Sequence, residues 1–425
     1  MKKILKYTLP AACILALTAA CSEKIDPVID PDGPEIRFSV EQAEAGTKGL
    51  INPTTPASGT TPAVPGLAVQ GTQLHVVDIL SGFTGTVTGH SPAADGAVRY
   101  IDGTLQYTSS TAGQKDETLW QFVDAGAPAY YRWTKKGTHK FFGWLVKDNT
   151  TSASPLTAAG FFGSEPTLTE TTSGTTVTRT LSVPAVTFTK DSPQFDFMYS
   201  DIVSRNAETG PYTYIPLNMN HLFTALAVEV SNQTGEAISD LSVKFTNFQN
   251  GRSATIDYSG EGSATGVAVT PTLTDGTKGE YVFGGDVTSL TAPEATTPVA
   301  ETFVSLYNSP NEYRLLWQQD DLTDSSIKVA YTITYYTYAE DDETHENPIP
   351  NTVTNTATVS LKDLFKVSVT DPDTQETTQI PMMQAGHKYL LQVTVKLTEL
   401  RFAVIVDPLV NVNATSSGEV FYFES

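Results

Sequence analysis

The chain has very few cysteines. Only two occur among its 425 residues, at positions 13 and 21. Because the rest of the chain has none, a disulfide framework is excluded there, and burial of apolar side chains has to hold the fold together. A chain of this length is long enough for two or three domains.

Basic residues are also scarce. Lys and Arg total 26 against 47 Asp and Glu, and the formal net charge is −21. Binding to nucleic acid depends on clusters of Lys and Arg that neutralise phosphates, so this balance excludes a nucleic-acid partner. A large negative charge favours solubility outside the cell.

Helical patterning is missing as well. No long stretch has apolar residues at the i, i+3, i+4, i+7 spacing together with caps, so we expect helix only in short pieces. Threonine, 18 Tyr and 19 Phe suit pleated strands, while 30 Gly and 25 Pro supply turns. The composition predicts an all-β protein.

The amino-terminal end has a basic start and then an apolar run. Lys2, Lys3 and Lys6 precede the mostly apolar residues 9–20, and small residues lead to Cys21. This order is typical of a secretory signal, and the run is too short for a retained transmembrane helix. Residues 1–20 are thus a predicted lipoprotein signal peptide, with Cys21 as the lipidated residue. Plain secretion is the less favoured alternative.

Residues 21–35 are acidic and rich in Pro, which predicts a flexible linker. In the following residues 36–40, Ile36, Phe38 and Val40 alternate with polar side chains, which predicts a first strand. Residues 52–66 are polar and proline-rich, so accessible chain flanks this strand on both sides.

Further short strands are predicted up to residue 188, with long Thr- and Ser-rich loops at residues 149–159 and 165–180. The strongest alternation covers residues 214–230, and residues 241–245 are predicted to pair with it. A second set of strands follows residue 262. We therefore expect an N-terminal β-sandwich over residues 36–262 and a C-terminal β-sandwich over residues 263–425.

Several of these motifs occur in a familiar order. They are the lipobox cysteine, residues 36–40 followed by Gly46-Thr47-Lys48, residues 195–200, residues 215–223 running into 225–230, and residues 384–389 leading into 391–397. With this order and spacing the chain resembles the Bacteroidetes fimbrillin family, the lipoprotein-exported subunits of type V pili and their relatives.

The resemblance implies two tandem transthyretin-like β-sandwiches that assemble by strand donation. A protease would cut after Lys48 or, less favourably, Arg37, and the first strand with Ile36, Phe38 and Val40 would leave. A carboxy-terminal segment of another subunit would then fill the groove. The candidate donor residues are Val404, Val406, Val410 and Val412. Two alternatives to these roles stay open: Lys48 is an ordinary loop residue, and the last strands close the second sandwich without being donated.

Chemical motifs are weak throughout the chain. The six histidines lack metal-ligand spacing, and His221 is expected to be a hydrogen-bonded structural residue. The acidic residues around 320–324 and 340–346 do not follow the order of a calcium loop, so a solvated loop is favoured over weak calcium binding. We expect no enzyme activity, no metal and no cofactor.

The aromatic content leaves one alternative function. Four tryptophans, at positions 120, 133, 144 and 317, together with the many tyrosines, raise the possibility of a surface glycan-binding lipoprotein that stacks sugars on aromatic rings. Core packing is favoured for these side chains. The favoured function is a subunit of a surface fimbria or a related adhesin at the outer membrane. Its partners would be other fimbrillin subunits, the membrane through the lipid, and surface ligands of host or bacterial cells.

Overall fold

The computed structural model of the chain describes residues 33–42, 67, 69–82, 87, 90–92, 96–110, 117–148, 156–174, 176–210, 214–276, 278–283, 287–292, 301–307, 313–340, 344, 346, 348–370, 377–396, 400–408 and 420–424. These residues form an almost entirely β structure. The all-β prediction is confirmed, while the number of tandem domains stays a prediction.

Among the described residues, the first half of the chain contributes fourteen strands. They are β1 (Glu35–Ile36), β2 (Phe38–Gln42), β3 (Gln73–Ser81), β4 (Ser91–Pro92), β5 (Val98–Tyr107), β6 (Trp120–Phe122), β7 (Tyr131–Arg132), β8 (Thr138–Asp148), β9 (Leu156–Thr157), β10 (Thr167–Ser173), β11 (Thr176–Thr187), β12 (Met198–Ser200), β13 (Val203–Asn206) and β14 (Ile215–His221).

The second half contributes fourteen more. They are β15 (Phe223–Asn232), β16 (Ile238–Phe248), β17 (Gly251–Asp257), β18 (Thr272–Asp275), β19 (Gly279–Phe283), β20 (Val304–Ser305), β21 (Arg314–Trp317), β22 (Ser326–Thr337), β23 (Ile349–Ser360), β24 (Val367–Thr370), β25 (Thr377–Ile380), β26 (His387–Val395), β27 (Leu400–Pro408) and β28 (Val420–Glu424). The described α-helices are single short pieces, α1 (Ala158–Phe162) and α2 (Leu361–Leu364), as the sequence predicts.

Two sheets dominate the N-terminal part. The larger has the order β2-β14-β12-β8-β3-β5-β4, with β13 and β9 on β8 and β6 on β5. The smaller has the order β10-β11-β17-β18. Phe142 of β8 stacks on Tyr258, just after β17, with ring centroids 4.2 Å apart, so aromatic side chains fill the space between the two sheets.

The hairpin of β10 and β11 corrects one expectation. Residues 165–180 are rich in Thr and were expected to form a loop, but β10 and β11 pair antiparallel from Thr167–Ser182 to Ser173–Thr176. Threonine is β-branched and favours strands, and Gly174 supplies the turn with a φ of 63°. The Thr content therefore marked strands in this segment.

Two sheets also dominate the C-terminal part, beside the two-stranded sheet β24-β25. One has the order β20-β15-β26-β27-β28 with β21 on β15, and the other has the order β19-β16-β22-β23. Phe365 connects them: its ring centroid lies 6.2 Å from that of Phe245 on β16 and 5.7 Å from that of Tyr389 on β26.

The central stretch is one extended run that changes sheets. β14 belongs to the large N-terminal sheet, and after Leu222 the chain continues as β15 in the C-terminal sheet. The predicted pairing of residues 241–245 with this stretch is wrong. β15 pairs in parallel with β26, and β16 pairs with β19 and β22 in the other sheet. The turn between β15 and β16 leads from one sheet to the other and does not close a hairpin.

Strand pairing crosses the predicted boundary at residue 262 in both directions. β15 and β16 precede this residue and pair with strands that follow it, whereas β18 follows it and pairs with β17. The chain thus enters the C-terminal sheets at Leu222, returns for β17 and β18, and leaves again before β19. The division into segments 36–262 and 263–425 stays a prediction.

Candidate strand-exchange site

The predicted first strand lies at the edge of the large N-terminal sheet. It is interrupted at Arg37 into β1 and β2, which we call the leading segment together with Gly33 and Pro34 (residues 33–42). Within the described chain, β2 pairs with one strand only, the parallel neighbour β14. Removal of β2 would therefore leave the rest of the sheet in place.

The side chains of the leading segment fill the core. Ile36 and Phe38 are 0% and 1% exposed, and Val40 is half-buried against the same core. The ring of Phe38 meets those of Phe122 and Phe141 edge to face at centroid distances of 5.9 and 5.8 Å. The predicted alternation is correct here, and loss of the segment would open an apolar slot between these rings.

The backbone of β14 offers a regular edge beneath β2. The register pairs Ile215 with Phe38 and Leu217 with Val40, and the Ile215 N–H donates to the Arg37 carbonyl at 2.7 Å. On the opposite side of β14, the Asn218 carbonyl accepts from the Asp201 N–H at 3.0 Å. Alternate residues of β14 therefore face β2, and Pro216, which has no N–H, faces away from it.

A second, smaller set of contacts holds the start of the segment. β1 pairs antiparallel with β7, and the Trp133 N–H donates to the Pro34 carbonyl at 3.0 Å. Arg132 donates to the Gly33 carbonyl at 2.6 Å, and its guanidinium lies 3.9 Å from the Glu35 carboxylate. The Arg132–Glu35 ion pair is partly exposed, and exposed ion pairs contribute at most about 1 kcal/mol.

Arg37 is poorly placed for proteolysis. Its guanidinium pairs with Glu35 at 3.1 Å and lies over the Tyr130 ring at 5.4 Å, while its carbonyl is bonded to β14. The next residue, Phe38, is buried, so a protease could not take the Arg37–Phe38 bond in an extended form without displacing β2. Lys48, the other predicted cleavage residue, lies outside the described residues, as does Cys21.

The candidate donor residues have different positions. Val404 is fully buried in β27, which pairs with β26 on one side and β28 on the other. Val406 is also in β27, whereas Val410 and Val412 lie outside the described residues. In this arrangement β27 is an interior strand that completes the C-terminal sheet, and β28 is the edge strand beside it. The donor role of these residues stays a prediction.

His221 has the structural environment that its sequence context indicates. Its Nδ1 lies 2.7 Å from a carboxylate oxygen of Asp196, and both side chains are buried. Sequence reasoning missed a second pair of this kind, in which His139 Nδ1 is 2.5 Å from Asp78 and Nε2 is 2.8 Å from the Thr134 hydroxyl. Burial raises the pKa of Asp78. Both pairs lie in the core of the large sheet, distant in sequence, which is why no local motif marked them.

The other candidate residues do not converge on a chemical site. Asp320 pairs with Arg252 at 2.8 Å. Hydrogen bonds from the Thr323 side chain and from the Thr323 N–H, the latter at 2.8 Å, lower the pKa of Asp321. Among the described residues, no group of three or more His, Cys, Asp or Glu side chains is arranged to hold a metal ion. None of the described helices has the length and hydropathy of a membrane span.

All four tryptophans are core residues. Trp120, Trp133 and Trp144 are 4–5% exposed, and Trp317 is 0% exposed with its indole N–H bonded to the Val186 carbonyl at 2.8 Å. Aromatic platforms for sugar rings need an accessible ring face. The tryptophans therefore do not supply the glycan-binding surface of the alternative function.

Comparison with solved structures finds similar chains from Bacteroides. A fimbrial protein from Bacteroides vulgatus is 13% identical with a TM-score of 0.44, covering 88% of this chain and 99% of that one. A protein from Bacteroides ovatus assigned to cell adhesion is 12% identical with a TM-score of 0.40, covering 89% and 98%. One from Bacteroides thetaiotaomicron assigned to polysaccharide binding is 10% identical with a TM-score of 0.34, covering 90% and 100%.

No family model matches the chain, and no curated protein matches it. The similar structures include fimbrial and cell adhesion proteins of Bacteroides, the class that the sequence motifs resemble. Because identities and TM-scores are low, the functional argument rests on the chain's own residues.

Proposed function

We propose that the protein is a non-enzymatic subunit of a surface fimbria or a related adhesin, and that it assembles by exchange of its first strand. The single observation that carries the proposal is the state of the leading segment. Its backbone lies at a sheet edge and its side chains lie in the core, since among the described residues β2 has one strand partner while Ile36 and Phe38 are buried.

The edge position of β2 and the burial of its side chains have different consequences. An edge strand can leave without breaking the sheet behind it. A strand that carries buried apolar side chains leaves an apolar slot beside a row of unpaired backbone groups, which is a site for β-augmentation by another chain. The rings of Phe122 and Phe141 would supply the affinity for the incoming strand, and the alternating backbone N–H and C=O groups of β14 would set its register.

Export and processing come before assembly in this proposal. Cys21 receives the lipid and brings the precursor to the outer membrane, and cleavage after Lys48 releases the leading segment. The contacts of Arg37 support Lys48 as the preferred position, because a cut after Arg37 would require the buried Phe38 to leave the core first.

The incoming strand comes from the carboxy-terminal end of another subunit. Val404 and Val406 belong to an interior strand, so their release would break pairing on both sides of β27. The described edge strand β28 (Val420–Glu424) would have to break pairing on one side only. We therefore favour a donor that begins after Pro408.

Amino-terminal sequencing of assembled surface fibres tests the proposal. The expected first residue is Gly49. A first residue at Cys21 in the polymer would contradict removal of the strand, and a first residue at Phe38 would assign the cut to Arg37.

A capture experiment tests the groove directly. The chain expressed from residue 49 should bind a peptide of residues 33–48, and a peptide of residues 409–425 should compete for the same site. A stable monomer that binds neither peptide would contradict strand exchange.

A further inference from the structure

A long sheet edge in the C-terminal part has no described partner. β23 spans twelve residues and pairs antiparallel with β22 over its whole length, from Ser326–Ser360 to Thr337–Ile349. It is the last strand of the sheet β19-β16-β22-β23, and within the described chain no strand pairs with its other side. Alternate backbone N–H and C=O groups along β23 therefore point away from the sheet.

This edge lacks the features that usually prevent association between sheets. The sequence IPNTVTNTATVS contains no charged residue, its one proline is Pro350 near the start, and its pairing with β22 has no register shift. The opposite edge of the same sheet is different: β19 has five residues, carries Glu280, and pairs with β16 across a register shift. Charge, shortness and irregularity protect β19, whereas none of them protects β23.

The side chains of β23 are uncharged on both faces. Residues 352, 354, 356 and 358 are exposed threonines on the solvent face, and the Thr354 hydroxyl lies 3.2 Å from that of Thr332 on β22. On the other face, Ala357 and Val359 pack against the core. A strand added beside β23 would therefore continue both faces without burying a charge.

Residues 352–360 of β23 are nearly palindromic about Thr356, whereas residues 349–351 lie outside the palindrome. Stepping outward from this residue, Thr354 corresponds to Thr358, Val353 to Val359, and Thr352 to Ser360. Only Asn355 and Ala357 differ in kind. In an antiparallel pair of two identical strands centred on Thr356, each of these residues would face its counterpart, which gives Thr–Thr and Val–Val cross-strand pairs.

We propose that β23 pairs with β23 of a second copy of this chain, antiparallel and about a two-fold axis at Thr356. The near-palindrome identifies the occupant, because a self-complementary patch is what an isologous contact requires. An uncharged strand also lets two chains of net charge −21 approach without placing like charges directly opposite each other.

This contact is separate from strand exchange. β23 and β2 belong to different sheets, and among the described residues the outer edge of β23 has no strand partner while β2 is in place. Lateral pairing through β23 would join subunits side by side, whereas strand exchange would join them in series. Pairing through β23 is tested with the full, uncleaved chain, in which β2 stays in place. Its failure would therefore not contradict strand exchange, and failure of strand exchange would not contradict pairing through β23.

Cysteine crosslinking tests the register. In the full chain carrying Cys13→Ser and Cys21→Ser, Thr356→Cys places two thiols on the axis, with Cβ atoms about 4.5–5.5 Å apart, within reach of a disulfide. Thr352→Cys is the matched control, an exposed threonine on the same face. It faces Ser360 of the second copy, and the two Thr352 positions would be about 27 Å apart at ~3.4 Å per residue.

The expected result of mild oxidation is a covalent dimer for Thr356→Cys and none for Thr352→Cys alone. An equimolar mixture of Thr352→Cys and Ser360→Cys should again give a dimer. Equal crosslinking of Thr352→Cys and Thr356→Cys, or no crosslinking of Thr356→Cys, would overturn the proposal.

Sedimentation tests the interface without crosslinks. The parent chain should dimerise reversibly at concentrations up to about 1 mM, and Thr356→Lys should raise the dissociation constant at least about tenfold because two like charges meet on the axis. Thr337→Lys, an exposed threonine of β22 outside the palindrome, should leave it unchanged. A parent chain that stays monomeric, or a Thr356→Lys variant that dimerises as well as the parent, would overturn the proposal.

Discussion

The slot for Phe38 allows a quantitative test of the leading segment. Phe38 is 1% exposed and meets two rings, those of Phe122 and Phe141, edge to face. Truncation of a buried Phe to Ala typically costs about 3–5 kcal/mol, because apolar contacts are lost and a cavity remains. If the segment binds as a separate strand, this whole cost should appear in its affinity for the groove.

The assay measures binding of a labelled peptide of residues 33–48 to the chain of residues 49–425 by fluorescence anisotropy. Phe38→Ala in the peptide should weaken binding between about a hundredfold and a few thousandfold, since each 1.4 kcal/mol is a factor of ten. Phe38→Leu keeps most of the apolar volume and should cost about 1.5 kcal/mol or less. The expected order of affinity is parent, then Leu, then Ala.

The reasoning would be refuted if the Ala peptide bound as tightly as the parent. In that case Phe38 would not fill a slot in the separated chain, and the groove would have closed after loss of the strand. A parent peptide that does not bind, together with a cooperatively folded chain of residues 49–425, would give the same conclusion.

Three further predictions follow from single residues. Lys48→Ala should abolish amino-terminal processing while Arg37→Ala leaves it intact, as read from the first residue of the mature chain; the reverse result would assign the cut to Arg37. Burial raises the pKa of Asp78 above its ordinary value of 3.8. The wild-type chain should therefore lose stability relative to Asp78→Asn as the pH rises from 3.8 toward the folded-state pKa. Urea unfolding at a series of pH values measures this, and equal stability changes in the two chains would contradict it. Gly143→Ala should lower the free energy of unfolding by about 1–3 kcal/mol, because its Cβ would lie 2.6 Å from the His75 carbonyl oxygen. Gly260→Ala is the control: its Cβ would lie 3.8 Å from the nearest atom, so the loss of stability should be much smaller. Thermal melts of the two variants measure the difference.

The structure also changes the weight of the two candidate functions. Burial of all four tryptophans removes these rings from the side chains on which glycan binding was based, whereas Tyr335, Tyr336 and Tyr338 are exposed. The same burial agrees with core packing, which the alternation of the surrounding strands favours. The edge position of β2 adds support to strand exchange that the sequence alone did not supply.

Local patterns predicted the class of fold and the inward-facing residues well. Alternation correctly identified Ile36 and Phe38 as buried. Composition misled the prediction for β10 and β11, where a loop was expected, because threonine is common both in loops and in strands.

The sequence by itself determined that the chain is a set of strands with defined inner faces, since alternation and β-propensity act within a few residues. Only the tertiary structure decided which strands pair. β2 pairs in parallel with β14, and β15 pairs with β26 and not with β16. The carboxylates of Asp78 and Asp196 contact His139 on β8 and His221 on β14. Pairing and register depend on side chains that lie far apart in the chain, and a period-two pattern carries no information about its partner.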